Sequence, residues 1–225
     1  GGYFLYPARF SLRAEFTHDD LMNCWRAVFS PLATHIRACI VFFRFGSAYR
    51  PFPALVYRAA FASSGFNLFP LRMLLLVVMG LNILLMYAFA RRLTLSREAG
   101  VLAALLGSYH FNVTSYYFNT GFLYDILCFF FYFSALVLYL HIRQADRLLR
   151  WYELLALCAL YMLALDSKEL AVSLPVVIAA WEMLFHLPPF RLAPLLRWQY
   201  RELLPVWVTG VMTAAFIRGR VMVAG

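Results

Sequence analysis

The chain is poor in charge, and above all in lysine. Only 14% of its 225 residues are charged, one lysine (Lys168) stands against nineteen arginines, and there are eleven carboxylates in all. A water-solvated domain of this size carries about 25% charged residues. With 64% hydrophobic residues and a mean hydropathy of +0.72, the chain is made for another solvent. The formal net charge of +9 does not imply nucleic acid, because the arginines are scattered among apolar stretches and form no compact basic patch. A membrane face rich in anionic lipid accounts for them. Cysteine is also scarce. Cys24, Cys39, Cys128 and Cys158 show no CxxC spacing, which excludes a zinc ribbon and gives no disulfide framework, and they are expected to be buried free thiols. The chain opens on Gly1-Gly2-Tyr3 without methionine and closes on Met222-Val223-Ala224-Gly225, so it is expected to be part of a longer polypeptide with its first membrane helix upstream, residues 1–6 being the end of that span.

What the chain does have is a row of apolar runs. Spans are predicted near 73–90, 99–118, 126–142, 154–165, 170–185 and 203–217. The fourth and fifth are short for a bilayer core of ~30 Å, and tilt, burial or re-entry would accommodate them. The gaps holding Arg91, Arg92 and Arg97, then Arg143, Arg147 and Arg150, then Arg191, Arg197 and Arg201 fall on one side if every run crosses. Arginine gathers on the cytoplasmic face, which puts 119–125 and 166–169 outside together with residues 7–70. The arginines of that long outer segment run against the rule, from which long translocated segments are largely exempt.

The outer segment has its own helical signals. Thr17-His18-Asp19-Asp20 resembles a capping box, with Leu21, Cys24, Trp25 and Val28 on one face. Ile36–Phe45 and Ala54–Ala62, punctuated by Pro31, Pro51 and Pro53, are too short to span and are expected to lie along the membrane surface with their arginines snorkelling. The expected architecture is all-α: an outer segment (1–70) with interfacial helices, followed by a transmembrane helical bundle (71–225).

Few polar groups are placed for chemistry. Asp19 and Asp20 are adjacent carboxylates at a helix start. Both can cap it, or one can serve as general base or metal ligand, and since neighbouring side chains diverge by about 100°, Asp20 suits the cap and Asp19 the site. Lys168 lies between Asp166 and Glu169, either in a local ion pair or as a cationic contact for a lipid phosphate. Asp125 heads a span as a helix-start carboxylate. His110 is read as a hydrogen-bonded core residue, although a histidine in a dry bundle can also hold haem or chlorophyll, and His141 as an interface residue. The sequon Asn112-Val113-Thr114 lies too deep to be modified.

In order, Asp19-Asp20, Tyr49-Arg50-Pro51, the Leu71–Ala90 span, Arg91-Arg92-Leu93-Thr94, the His110–Asp125 stretch and Asp166-Ser167-Lys168-Glu169 before Pro175 resemble the polytopic GT-C glycosyltransferases. The likeness is to the protein O-mannosyltransferase branch and to bacterial membrane proteins that join such a module to tetratricopeptide repeats. The resemblance implies a bacterial inner-membrane enzyme with 7–70 on the periplasmic side. Asp19 or Asp20 would deprotonate an acceptor hydroxyl while a sugar leaves its polyprenyl-phosphate carrier with inversion, and Lys168 or Arg50 would meet the phosphate. His110, Asp125 and Glu169 would lie in the substrate-binding region. A divalent metal is left open. The chain departs from the family pattern at Phe111, Ser115 and Leu123, where a proline, a glutamate and an arginine are expected. That departure, with aromatic spans such as Cys128–Phe133, motivates a second reading: a noncatalytic subunit of a larger respiratory or photosynthetic membrane complex, with protein partners and bound lipid or pigment. A transporter is disfavoured by the few intramembrane charges and the lack of an inverted repeat.

Overall fold

The computed structural model describes residues 17–41, 50–109, 116, 118–188 and 198–224, together with Tyr6, Arg9, Phe10 and Leu12; for Asp19, Tyr109 and residues 221–224 the description covers the backbone. Every element among the described residues is helical. In chain order they are α1 (His18–Phe29), α2 (Leu32–Ile40), α3 (Pro51–Ser64), α4 (Phe69–Thr94), α5 (Arg97–Tyr109), α6 (Leu123–Arg143), α7 (Trp151–Ser167), α8 (Leu174–Phe185) and α9 (Leu204–Ala224), with 3₁₀ turns at Thr120–Phe122 and Glu169–Ser173.

Local chemistry sets most boundaries. Thr17 and Asp20 form a reciprocal capping box at the start of α1: the Thr17 amide donates to Asp20 Oδ2 at 2.8 Å and the Asp20 amide to Thr17 Oγ1 at 3.3 Å. Pro31 precedes α2, which therefore runs Leu32–Ile40, not Ile36–Phe45 as expected. Pro51 opens α3, because a first-turn residue needs no amide hydrogen, and the helix runs past Ala62 to Gly65, whose positive φ of 58° suits glycine. Arg58 does not snorkel. Its Nη1 donates to the carbonyls of Ala27 at 3.1 Å, Val28 at 3.2 Å and Ser30 at 2.5 Å, satisfying the open C-terminal end of α1.

Two helices among the described residues are long and apolar enough to cross a bilayer on those grounds alone: Phe69–Thr94, and Thr120–Arg143 taken with its leading turn. At ~1.5 Å per residue the 26 residues of α4 reach about 39 Å and the 21 of α6 about 31 Å. Only 22% of the apolar window of α4 is buried, so its side chains are not those of a soluble core. Val77 and Leu84 of α4 and Leu102, Leu105 and Leu106 of α5 all point outward, a surface that a hydrocarbon solvent accommodates. α7 is longer than the 154–165 run expected, and the 170–185 run is divided into a 3₁₀ turn and α8.

The bundle has two cores with one helix in common. Ala27, Tyr57, Leu71, Leu75, Val78 and Met79 close over Leu123, Ile126 and Leu127 of α6. Farther along α6, Cys128, Ala135, Leu136 and Tyr139 meet Leu157, Tyr161, Leu174, Ile178 and Phe216. Within the bundle Asn82 of α4 donates to the Ile126 carbonyl at 2.9 Å, and Tyr161 meets Thr213 hydroxyl to hydroxyl. The polar groups collect at the two ends. At one, Asp125 meets Lys168, and Glu169 meets Arg50 and Arg220. At the other, Arg143 meets Glu182 and Glu202, Arg147 meets Glu153, and Gln144 donates to the Arg92 carbonyl at 2.6 Å. Helices α6 to α9 thus run to and fro between the same two polar layers.

Candidate functional site

The candidate site lies at the Asp125 end. Residues 119–125 are its floor. Asn119 takes the Gly121 amide at 2.7 Å and the Thr17 hydroxyl at 3.4 Å, Tyr57 donates to the Thr120 carbonyl at 2.5 Å, and Tyr124 donates to Asn23 Oδ1 at 2.6 Å. These bonds dock α1 and α3 onto the head of α6.

Asp20 is sealed into this floor, with 0% of its surface exposed. Oδ2 accepts the Thr17 amide and Oδ1 the Thr120 hydroxyl, and Arg72 of α4 is buried as well. A carboxylate so enclosed acts as cap and tie. Asp19 precedes it on α1, with its side chain outside the described residues, and His110 lies outside them altogether. His141 is exposed at the opposite end from Asp125.

Lys168 does not pair with its sequence neighbours. The 3₁₀ turn that follows turns it toward α6, where its Nζ meets Asp125 Oδ1, 43 residues away. The turn is tied to α6 by Cys128 Sγ on the Lys168 carbonyl at 3.8 Å and by Tyr132 and Ser173, hydroxyl to hydroxyl, at 3.0 Å. Glu169 faces the other way and takes Arg50 Nη2 on Oε2 at 3.4 Å and Arg220 Nη2 on Oε1 at 3.2 Å. Asp166 is buried, and neither of its oxygens has a hydrogen-bond partner among the described residues.

Beside the Asp125–Lys168 pair opens a cavity of about 460 Å³, walled by Met79, Ile83 and Met86 of α4 and Phe129 and Phe133 of α6, with Asn82 and Ser108 as polar spots. It has one charged end and apolar sides, the shape required for an amphiphile with an ionic head. Among the described residues no group of three or more His, Cys, Asp or Glu is arranged to hold a metal ion. The four cysteines are free, Cys128 buried and the other three half-buried. In the outer segment burial raises the Cys24 thiol and pushes Cys39 up to about 12, so neither is a ready thiolate.

Of the site residues expected from the sequence, Arg50, Asp125, Lys168 and Glu169 come together, and Asp20 lies under the same floor. Arg220 was not foreseen. The only sign of it was parity: six crossings would return α9 to the outer layer, with Arg218 and Arg220 just beyond the 203–217 run. Tyr124, whose ring lies 4.7 Å from the Arg50 guanidinium carbon, is not flagged by the sequence because its partner is distant along the chain.

No curated protein and no solved structure matches the chain. The family model for dolichyl-phosphate-mannose-protein mannosyltransferase matches residues 49–198, a stretch that holds Arg50, Asp125, Lys168, Glu169 and the walls of the cavity. That match favours a transferase over a noncatalytic subunit of an electron-transfer complex. The chain is an integral membrane protein and belongs to the dolichyl-phosphate-mannose-protein mannosyltransferase family, membrane glycosyltransferases of the mannosyltransferase type.

Proposed function

We propose that the chain transfers a sugar, with inversion, from a polyprenyl phosphate to an acceptor hydroxyl at the outer face of a bacterial inner membrane. The observation that carries this reading is the apolar cavity ending in the Asp125–Lys168 pair, with Arg50 nearby: hydrocarbon walls for a prenyl chain, cations for its phosphate. On this reading runs 73–90, 99–118, 126–142, 154–165, 170–185 and 203–217 cross the membrane and 7–70 lie on the periplasmic side. The Asp19 carboxylate takes the proton from the acceptor hydroxyl, whose oxygen attacks the anomeric carbon opposite the phosphate. The bond from carbon to phosphate oxygen breaks, and the leaving phosphate keeps the electron pair. Lys168 and Arg50 stabilise the charge that collects there, an effect worth most in a site shielded from water. Asp20 is assigned the supporting role of holding α1 in place.

The test is reconstitution. Purified protein in liposomes, given polyprenyl-phosphate mannose and a hydroxyl acceptor, should release polyprenyl phosphate. Asp19→Asn should slow turnover by about 10²- to 10⁴-fold, the usual contribution of a general base. Undiminished turnover by that variant would remove Asp19 from the reaction.

A further inference from the structure

The geometry points to an anion seat at the same end of the bundle, made by Arg50 and Arg220, in which the Glu169 carboxylate holds the place of a lipid phosphate until one displaces it. The inference rests on the transferase reading and adds to it a phosphate-binding residue, Arg220, and an internal competitor, Glu169.

Three observations carry it. The first is a contrast within the chain. Where an arginine–carboxylate pair serves only to hold the fold, the contacts are short: Arg143 grips Glu182 through two nitrogens at 2.7 and 2.8 Å, and Arg147 grips Glu153 at 2.7 and 2.6 Å. Around Glu169 the ion-pair distances are 3.4 and 3.2 Å, beyond the ~2.7–2.9 Å of a strong charge-assisted hydrogen bond. The second is that each guanidinium has a support independent of the carboxylate. Arg50 lies over the Tyr124 ring at 4.7 Å and Arg220 over Phe216 at 5.4 Å, so both cations stay placed when Glu169 leaves. The third is the mounting. Glu169 is the first residue of a 3₁₀ turn and remains 34% exposed, so its side chain has solvent to swing into, while Arg50 and Arg220 come from α3's leading edge and α9.

Two guanidiniums on two oxygens of one anion is the arrangement a phosphate also takes. A phosphate offers more oxygens and a more concentrated charge than the carboxylate it replaces. The apolar cavity begins on the other side of Lys168, so a phosphate on a prenyl chain gains from both, whereas free phosphate gains only from the seat.

The experiment is calorimetric titration of the full chain in detergent with geranyl phosphate, geraniol and inorganic phosphate, with helical circular dichroism confirming that each variant is folded. Wild type should bind geranyl phosphate more tightly than either control. Glu169→Gln should bind it about tenfold more tightly still, the scale of two half-exposed ion pairs, and Arg220→Gln about tenfold more weakly, with Arg220→Lys in between. Glu169→Asp decides between occupancy and simple repulsion. It keeps the charge but withdraws it by one methylene, so it should also tighten binding severalfold. Wild-type affinity in Glu169→Asp would overturn the occupancy. Equal affinity for inorganic phosphate would overturn the lipid assignment. If Arg220→Gln abolishes binding but Glu169→Gln changes nothing, the inference fails and the transferase reading stands; if no variant, wild type included, binds geranyl phosphate, both fail.

Discussion

Removing the Arg143 side chain tests the polar layer at the far end of the bundle. Arg143 is 4% exposed and Glu182 is 0% exposed. The guanidinium spends Nε and Nη2 on the two oxygens of Glu182, shares Nη2 with Glu202 at 2.7 Å, and donates Nη1 to the Arg147 carbonyl at 3.2 Å. Tyr139 also donates to Glu182, and His186 Nδ1 lies 3.5 Å from it. In Arg143→Met the Glu182 charge stays buried without its main partner, a change that costs about 3–5 kcal/mol. Glu182→Gln is milder, about 1–2 kcal/mol, because Arg143 retains Glu202 and the amide oxygen still accepts from Tyr139. The double variant should then cost no more than about 2 kcal/mol, since the charge that Arg143 neutralised is gone. A coupling of at least about 2 kcal/mol follows, readable in a double-mutant cycle of urea unfolding in detergent. Additive single costs, or an Arg143→Met variant within about 1 kcal/mol of wild type, would refute the argument that this pair is one desolvated unit.

Other outcomes follow from single contacts. Thr120→Val removes the hydroxyl on buried Asp20 and should cost about 2–3 kcal/mol in the same unfolding assay, the usual loss for a hydrogen bond to a charged group. Gly100→Val should destabilise by about 1–3 kcal/mol, because a Cβ there falls 3.0 Å from the Tyr87 carbonyl oxygen, which cannot turn aside, whereas Gly107→Ala meets only the flexible end of Met86 and should be tolerated better. Leu95 ends α4 at φ 58° with 84% of its surface exposed, so Leu95→Gly should raise stability by about 1 kcal/mol. Acid unfolding should carry the mark of Glu153: Arg147, and after it the Arg150 amide, hold its carboxyl down from 4.5 to about 2. Its contribution is complete above pH 4.5 and disappears as pH falls toward 2, where the unfolded chain takes up the proton first. Glu153→Gln should flatten the stability curve within that window.

What could be read from the sequence was whatever depends on neighbours. The capping box joins residues three apart, so Thr17 and Asp20 could be identified with no knowledge of the fold. The apolar runs carry their own length, and α4 and α6 lie where 73–90 and 126–142 place them. Boundaries set from a distance were misjudged. Sequence alone assigns Arg58 to the lipid because nothing near it along the chain needs a donor, yet three open carbonyls at the end of α1 do. Sequence alone offers Lys168 Asp166 or Glu169 because they adjoin it, while the 3₁₀ turn sends it to Asp125 and leaves Glu169 to arginines 119 and 51 positions away. Charge pairing across a bundle follows the order of helices in space, and one sequence holds that order only implicitly.

One helix, α6, lies against both cores: its first turns close the Tyr57–Leu75 cluster and its later turns the Tyr161–Ile178 cluster. A rod shared in this way denies the molecule a half-melted resting point. Prying either cluster apart strips α6 of neighbours that the other cluster also relies on, so denaturation should proceed in one cooperative step, with tyrosine fluorescence and helicity lost together.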